Sequence, residues 1–130
     1  MPPERFPPDD PREWLNRARS NLSRAKSRIP EVYLEDLCFD AQQAAEKAIK
    51  ALLVKKGIAF PYVHDIAYLL TLVEQNAVQI PDPVRRAEAL TRYAVVTRYP
   101  GVAEPVSESH YRDALVSAGA VLRWAEEEIG

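Results

Sequence analysis

The stretch AQQAAEKAIKALL, residues 41–53, decides the fold. Extended to 34–56, it carries Leu34, Leu37, Ala41, Ala44, Ala48 and Ala51 at steps of three and four, a helical stripe with no strand alternation. Four of these six residues are alanines. Small side chains let a neighbouring helix approach closely, so this helix is expected at the centre of a bundle and in contact over a broad arc. The opposite arc holds Asp36, Asp40, Gln43, Lys47 and Lys50, with Glu46 beside them. Any site in this protein is expected to include that polar arc.

Working outward toward the N-terminus, Leu15, Ala18, Leu22, Ala25 and Ile29 form a 3-4-3-4 seam, the spacing of bundle packing. It predicts a first helix capped by Asp9 or Asp10, opened by Pro11 and ended by Pro30 near Ile29. Basic residues flank the seam: Arg17, Arg24 and Arg28 on one side, Arg12, Arg19 and Lys26 on the other. Two readings of this rim are open. Long stems cover the seam while their heads stay solvated, or a cationic face meets phosphate or an acidic partner. Residues 1–9 read as a flexible, proline-rich arm and 10–130 as the bundle domain.

Toward the C-terminus, Gly57 suits the residue after the central helix, and Lys55 and Lys56 suit its dipole. Phe60-Pro61 argues for an ordered connection, and Asp65 is the expected N-cap of a short third helix with Ile66, Leu69, Leu70 and Val73 buried and Asn76 as its stop. Asp82-Pro83 opens a fourth helix by the same device, with Val84, Ala87, Leu90 and Ala94 inward. That helix should end before Thr97-Arg98-Tyr99-Pro100-Gly101. Ser107 or Ser109 caps the last, which carries Tyr111, Ala114, Leu115, Ala118, Val121, Leu122, Ala125 and Ile129. Its acidic end (Glu126, Glu127, Glu128) opposes the dipole, so fraying or a basic partner is expected there. The pattern predicts an all-α, up-and-down antiparallel bundle of four long helices and one short one.

Composition narrows the chemistry. With 130 residues, 47% hydrophobic and 28% charged, the chain has material for one globular domain. A net charge of −2 gives no global argument for nucleic acid. The lone Cys38 excludes an internal disulfide framework and reads as a buried small hydrophobe. No apolar run approaches the roughly 20 residues of a membrane span, and the N-terminus lacks a signal-peptide pattern, so a cytoplasmic protein is expected. Neither histidine follows a glutamate by three residues and no cysteine pair exists, so neither a metal site nor a cofactor is expected. Glycines at 57, 101, 119 and 130 cannot build a phosphate-binding loop.

The remaining candidates are His64 before the third helix, His110 in the first turn of the last, and Arg98-Tyr99 at a proline-fixed corner. Each histidine reads either as a local hydrogen-bonding group or as an acid–base group. Arg98 beside Tyr99 reads either as a helix cap over a packed ring or as a phosphate contact beside a stacking face.

Taken in order, Trp14-Leu15, the Gln-Gln-Ala-Ala-Glu-Lys-Ala-Ile-Lys run at 42–50, His64-Asp65, Thr97-Arg98-Tyr99-Pro100-Gly101 and the alanine-rich last helix resemble the HEPN domain family of prokaryotes. The resemblance covers about residues 10–128. It implies a five-helix bundle that dimerises and binds nucleotides or RNA, in partnership with a minimal nucleotidyltransferase as a two-component, toxin–antitoxin-like module. The binding positions it implies are Gln43, Glu46, Lys47, Lys50, His64, Arg98 and Tyr99. Ribonuclease members carry an arginine followed four to six residues later by a histidine, and this chain lacks that signature, since Arg98 and His110 stand eleven intervening residues apart. Two alternatives therefore accompany the binding module. One is a divergent, metal-independent ribonuclease using Arg98 with His64 or His110; the other is a ligand-free dimerisation scaffold.

Overall fold

In the computed structural model, which describes residues 2–95, 100 and 105–130, the central stretch is helix α2, Leu34–Lys55. Ala41, Ala44, Ala45, Ala48 and Ala51 are all completely buried. Around α2 lie α1 (Pro11–Ala25), α3 (Ile66–Glu74), α4 (Asp82–Arg85), a 3-10 run (Arg86–Thr91), α5 (Arg92–Val95) and α6 (Glu108–Ile129). The fold is the expected all-α, up-and-down bundle, with no strand among the described residues. The most extensive contacts of α2 are with α1 and α6. Leu15 and Leu22 of α1, Leu37, Ile49, Leu52 and Leu53 of α2, and Val121 and Leu122 of α6 join one core with Ile66, Leu69 and Leu70 of α3. No helix among the described residues is long and apolar enough to cross a membrane. Cys38 is buried in this core, and burial pushes its thiol up to about 12, far from a reactive thiolate.

The ends of the helices follow local chemistry in most places. Asp10 caps α1 through Arg12 N–H, Asp65 caps α3 through Tyr68 N–H and Ser107 caps α6 through His110 N–H. At the end of α2, Gly57 takes φ 69° and Ile58 N–H donates to Leu53 C=O at 2.9 Å, the paired closure of a Schellman motif.

Three expectations change. First, α1 stops at Ala25 rather than near Ile29, which is 51% exposed. The α pattern is lost at Ser27, whose N–H turns to Arg24 C=O and whose hydroxyl donates to Ser23 C=O; the Tyr111 hydroxyl of α6 donates to Ala25 C=O, the carbonyl an α-helical Ile29 N–H would use, and Pro30 disfavours helix at Ile29. Second, the fourth leg is not one continuous α-helix. Val84, Ala87 and Leu90 are buried as expected, but their steps of three match the 3-10 repeat of 3.0 residues per turn, and the chain winds accordingly. Asp82 is also the first helical residue there, after an N-cap at Pro81 with no side-chain cap. Third, the two alternatives at the acidic end of α6 narrow to one, a basic partner without fraying: the helix continues to Ile129, and Arg19 of α1 pairs with Glu126 at 2.7 Å. Leu115 and Ile129 pack only at the core's edge.

Helix α3 ends with Asn76 donating its side-chain amide to Leu72 C=O, while the next residue, Ala77, takes φ 64°. A left-handed alanine costs about 1–2 kcal/mol relative to a right-handed one, a penalty glycine lacks. Ala77→Gly should therefore stabilise the protein by about 0.5–1 kcal/mol once the greater freedom of glycine in the unfolded chain is deducted. Urea unfolding reads this directly, and a loss of stability would show that the Ala77 methyl packs productively.

Candidate functional site

A cleft of about 410 Å³ opens where the start of α1, the polar arc of α2 and the loop 58–65 meet. Gln43, Glu46, Lys47 and Lys50 line it from α2, His64 and Tyr62 from the loop, and Glu13, Trp14 and Arg17 from α1. Five residues singled out in the sequence (Gln43, Glu46, Lys47, Lys50 and His64) thus converge on one place. His110 does not join them; it lines a separate cleft with Arg92, Tyr93 and Asp113. Arg98 and Tyr99 lie outside the described residues.

The polar arc is less solvated than its composition suggests. Asp40, Glu46 and Lys50 are 6%, 3% and 4% exposed, and only Asp36 of the arc is fully at the surface. Glu46 is the hub. Its Oε1 accepts from Gln42 Nε2 and faces His64 Nδ1, both at 2.9 Å, while Oε2 accepts from Lys50 Nζ at 2.9 Å. Spacing explains much of this, because Gln42, Glu46 and Lys50 follow one another at four-residue steps along one helix face. Gln42 also reaches His64 C=O at 3.2 Å and accepts from Gln43 at 2.7 Å, so one buried amide fixes both the loop and the next side chain.

Burial alone would raise the Glu46 carboxyl. The hydrogen bonds from Gln42, Lys50 and His64, with the charge of Lys50, outweigh burial and hold the group below the ordinary carboxylate range. An ionised carboxylate only accepts, so Nδ1 of His64 is the donor and a neutral ring keeps its lone pair on Nε2. The ring is about half exposed, at 47%.

A second chain of contacts ties α1 to α2. Lys47 Nζ donates to Asn21 Oδ1 at 2.8 Å, Asn21 Nδ2 to Asp40 at 3.2 Å, and Arg24 Nη2 to Asp40 at 2.7 Å. Burial pushes the Lys47 ammonium's pKa down, with Arg17 and Arg24 adding to the effect and Glu46 and Asp40 opposing it. Aromatic rings supply the cleft's apolar side. Lys50 Nζ sits 5.6 Å from the Phe60 ring centre and 5.5 Å from that of Tyr62, Trp14 meets Phe60 edge-on, and Tyr62 meets His64 edge-on. Tyr62 is 93% exposed.

The basic rim of α1 keeps its heads largely at the surface, as the first of the two readings has it, and its five arginines are also paired within the chain: Arg12 with Asp10, Arg17 with Glu13, Arg19 with Glu126, Arg24 with Asp40 and Arg28 with Glu108. Of these arginines only Arg17 lines the cleft. Sequence reasoning overlooked Gln42, Asn21 and Tyr62 as site-forming residues. Gln42 carried a signal in its four-residue step to Glu46, and Asn21 in standing at a seam position between Ala18 and Ala25. Tyr62, in a loop, carried none.

The cleft can therefore hold an anion near Lys47 and Arg17 with a flat group against its rings. Among the described residues, no three His, Cys, Asp or Glu side chains cluster as metal ligands would.

Relatives bear on this geometry. TT1696 from Thermus thermophilus, a solved structure, superposes with a TM-score of 0.77 at 33% identity, covering 91% of this chain and 97% of that one. ST0689, described as an archaeal HEPN homologue, gives 0.75 at 28% identity, covering 93% and 98%. "Putative toxin MJ1304" of Methanocaldococcus jannaschii is 26% identical over 93 residues, which span 67% of this chain and 61% of that protein. A family model described as "HEPN domain" matches residues 11–129, nearly the whole helical bundle together with the cleft's α1, α2 and loop, and the chain belongs to the HEPN domain family.

Proposed function

We propose that this protein is a nucleotide- or RNA-binding HEPN module that acts with a partner nucleotidyltransferase in a two-component, toxin–antitoxin-like system. The observation that carries the binding half is the convergence of Gln43, Glu46, Lys47, Lys50 and His64 on one aromatic-walled cleft. Lys47 and Arg17 meet phosphate, while Lys50, neutralised by Glu46, shapes the floor. Arg98 and Tyr99 belong to the reading through the family resemblance. The partner half draws on the relative named "Putative toxin MJ1304". The assembly expected is a cytoplasmic homodimer, and light scattering on the purified protein tests its size.

Two measurements test the reading. Pull-down of the tagged protein from its native cells should recover a small nucleotidyltransferase; recovery of the protein alone removes the partner half. In titrations with ribonucleoside triphosphates and short RNA, Lys47→Glu should weaken binding by about tenfold or more, the loss expected when a charge-assisted contact becomes a repulsion. Lys50 is unsuitable for this test, because reversing it would place two carboxylates together in a buried site. Unchanged affinity in Lys47→Glu removes Lys47 from the site. Added RNA should remain intact; cleavage that disappears in His64→Ala would replace binding by catalysis.

A further inference from the structure

The bundle's ligand cleft has one wall that the family match does not include. The HEPN match begins at residue 11, yet Phe6 and Pro8 line the cleft. Three hydrogen bonds lay the arm along α1: Phe6 N–H to Glu13 Oε1 at 3.0 Å, Trp14 Nε1–H to Pro8 C=O at 2.7 Å, and Asn16 Nδ2 to Glu4 C=O at 2.8 Å. Glu13 and Trp14 line the same cleft, so two of these anchors belong to the site itself.

Phe6 is also placed as core packing would not place it. It is half-buried, but it is neither in the hydrophobic core nor among the apolar residues packed against that core. Instead the Arg12 guanidinium sits 4.0 Å from its ring centre and covers one face. A ring fixed through its backbone, with a cation on one face, is suited to receive a flat, electron-rich partner on the other. Lys50 covers one face of Tyr62 in the same way. The cleft thus carries two aromatic rings, each backed by a cation.

From this arrangement we infer that the N-terminal arm is part of the ligand site and that Phe6 contacts the base of a bound nucleotide. The inference rests on the cleft being the nucleotide site proposed above. It adds that the arm separates ligands with a base from ligands without one. Phosphate is held by Lys47 and Arg17 and the base by the arm; Arg17 shares Glu13 with the Phe6 backbone N–H, a group that a change of the Phe6 side chain leaves in place.

The experiment is calorimetric titration of the full chain with ATP and with inorganic tripolyphosphate, a probe of the same charge class with no base. In Phe6→Ala, ATP affinity should fall about tenfold, the range of one base–aromatic stack, while tripolyphosphate affinity stays within about twofold. Phe6→Trp should restore ATP binding, because stacking needs a ring rather than this particular ring. Equal losses for both probes, with no rescue by tryptophan, would make the arm a structural brace and overturn the inference. Unchanged ATP affinity in Phe6→Ala would overturn it too, while leaving the cleft as the nucleotide site. If the unaltered chain bound neither probe, the site reading and this inference would fall together.

Discussion

Glu46→Ala should destabilise the protein by about 3–5 kcal/mol, the loss expected when one member of a buried ion pair is removed. Lys50 is 4% exposed and its Nζ lies 2.9 Å from Glu46. Without the carboxylate its ammonium faces the Phe60 and Tyr62 rings, whose cation–π attraction returns only part of the lost charge pairing. Gln42 and His64 lose an acceptor at the same time. The reverse truncation, Lys50→Met, should cost less, since Glu46 keeps its bonds to Gln42 and His64. The double variant Glu46→Gln with Lys50→Met should recover much of the single loss, because no unpaired charge remains.

The same pair gives stability a pH dependence with a defined sign. Glu46 has a folded pKa below its ordinary value of 4.5. Its contribution is therefore complete above about pH 4.5 and is lost as pH falls through the depressed folded value. Urea unfolding from pH 7 down to pH 3 should show a steeper acid loss in the wild type than in the double variant. A Glu46→Ala loss under about 1 kcal/mol would mean that Lys50 escapes to water when unpaired.

Leu22→Ala and Leu122→Ala should each cost about 2–5 kcal/mol. Both side chains are 7% exposed and belong to the same core, one on α1 and the other on α6. Truncation removes apolar contact within that core and leaves a space that the surrounding side chains refill only in part. Backbone collapse would be the only repair, and the α1–α6 ion pairs, Arg19 with Glu126 and Arg28 with Glu108, tether the two outer helices against such a shift. Denaturant midpoints at constant m-value are the measurement. A loss below about 0.5 kcal/mol at either position would put that residue on the surface in solution.

Much of this was readable from residue spacing, for a physical reason. Leu15, Ala18, Leu22 and Ala25 repeat with the helix, and caps such as Asp10, Asp65 and Ser107 act within three residues of themselves. Such effects are local, so the sequence carries them on its face. What it does not carry is anything decided by a distant partner. Nothing near Ala25 announces that Tyr111 will take its carbonyl from across the bundle. Likewise, a helical projection gives the direction of Asp40 and Lys50 but not their depth; Arg24 and Asn21 bury one and the loop at 58–64 buries the other. This part of the cleft's lining was legible because Gln43, Glu46, Lys47 and Lys50 share one face of one helix, and His64 precedes a cap. The arm's place in the wall was not legible, because it depends on Glu13, Trp14 and Asn16 accepting or donating to backbone groups far from any repeat.

The alanines of α2 have a consequence for how this molecule tolerates change. With no side chain longer than a methyl at 41, 44, 45, 48 and 51, and none of them exposed, neighbouring elements can approach α2 closely along these positions. Gln43, Glu46, Lys47 and Lys50 are interleaved with those same alanines, one residue away in the chain. A larger residue at Ala44 or Ala48 would overpack the core and, through the adjoining side chains of α2, disturb the cleft as well. The shape of the cleft and interior packing are thus tied together along one helix, and drift in either is bound to show in the other.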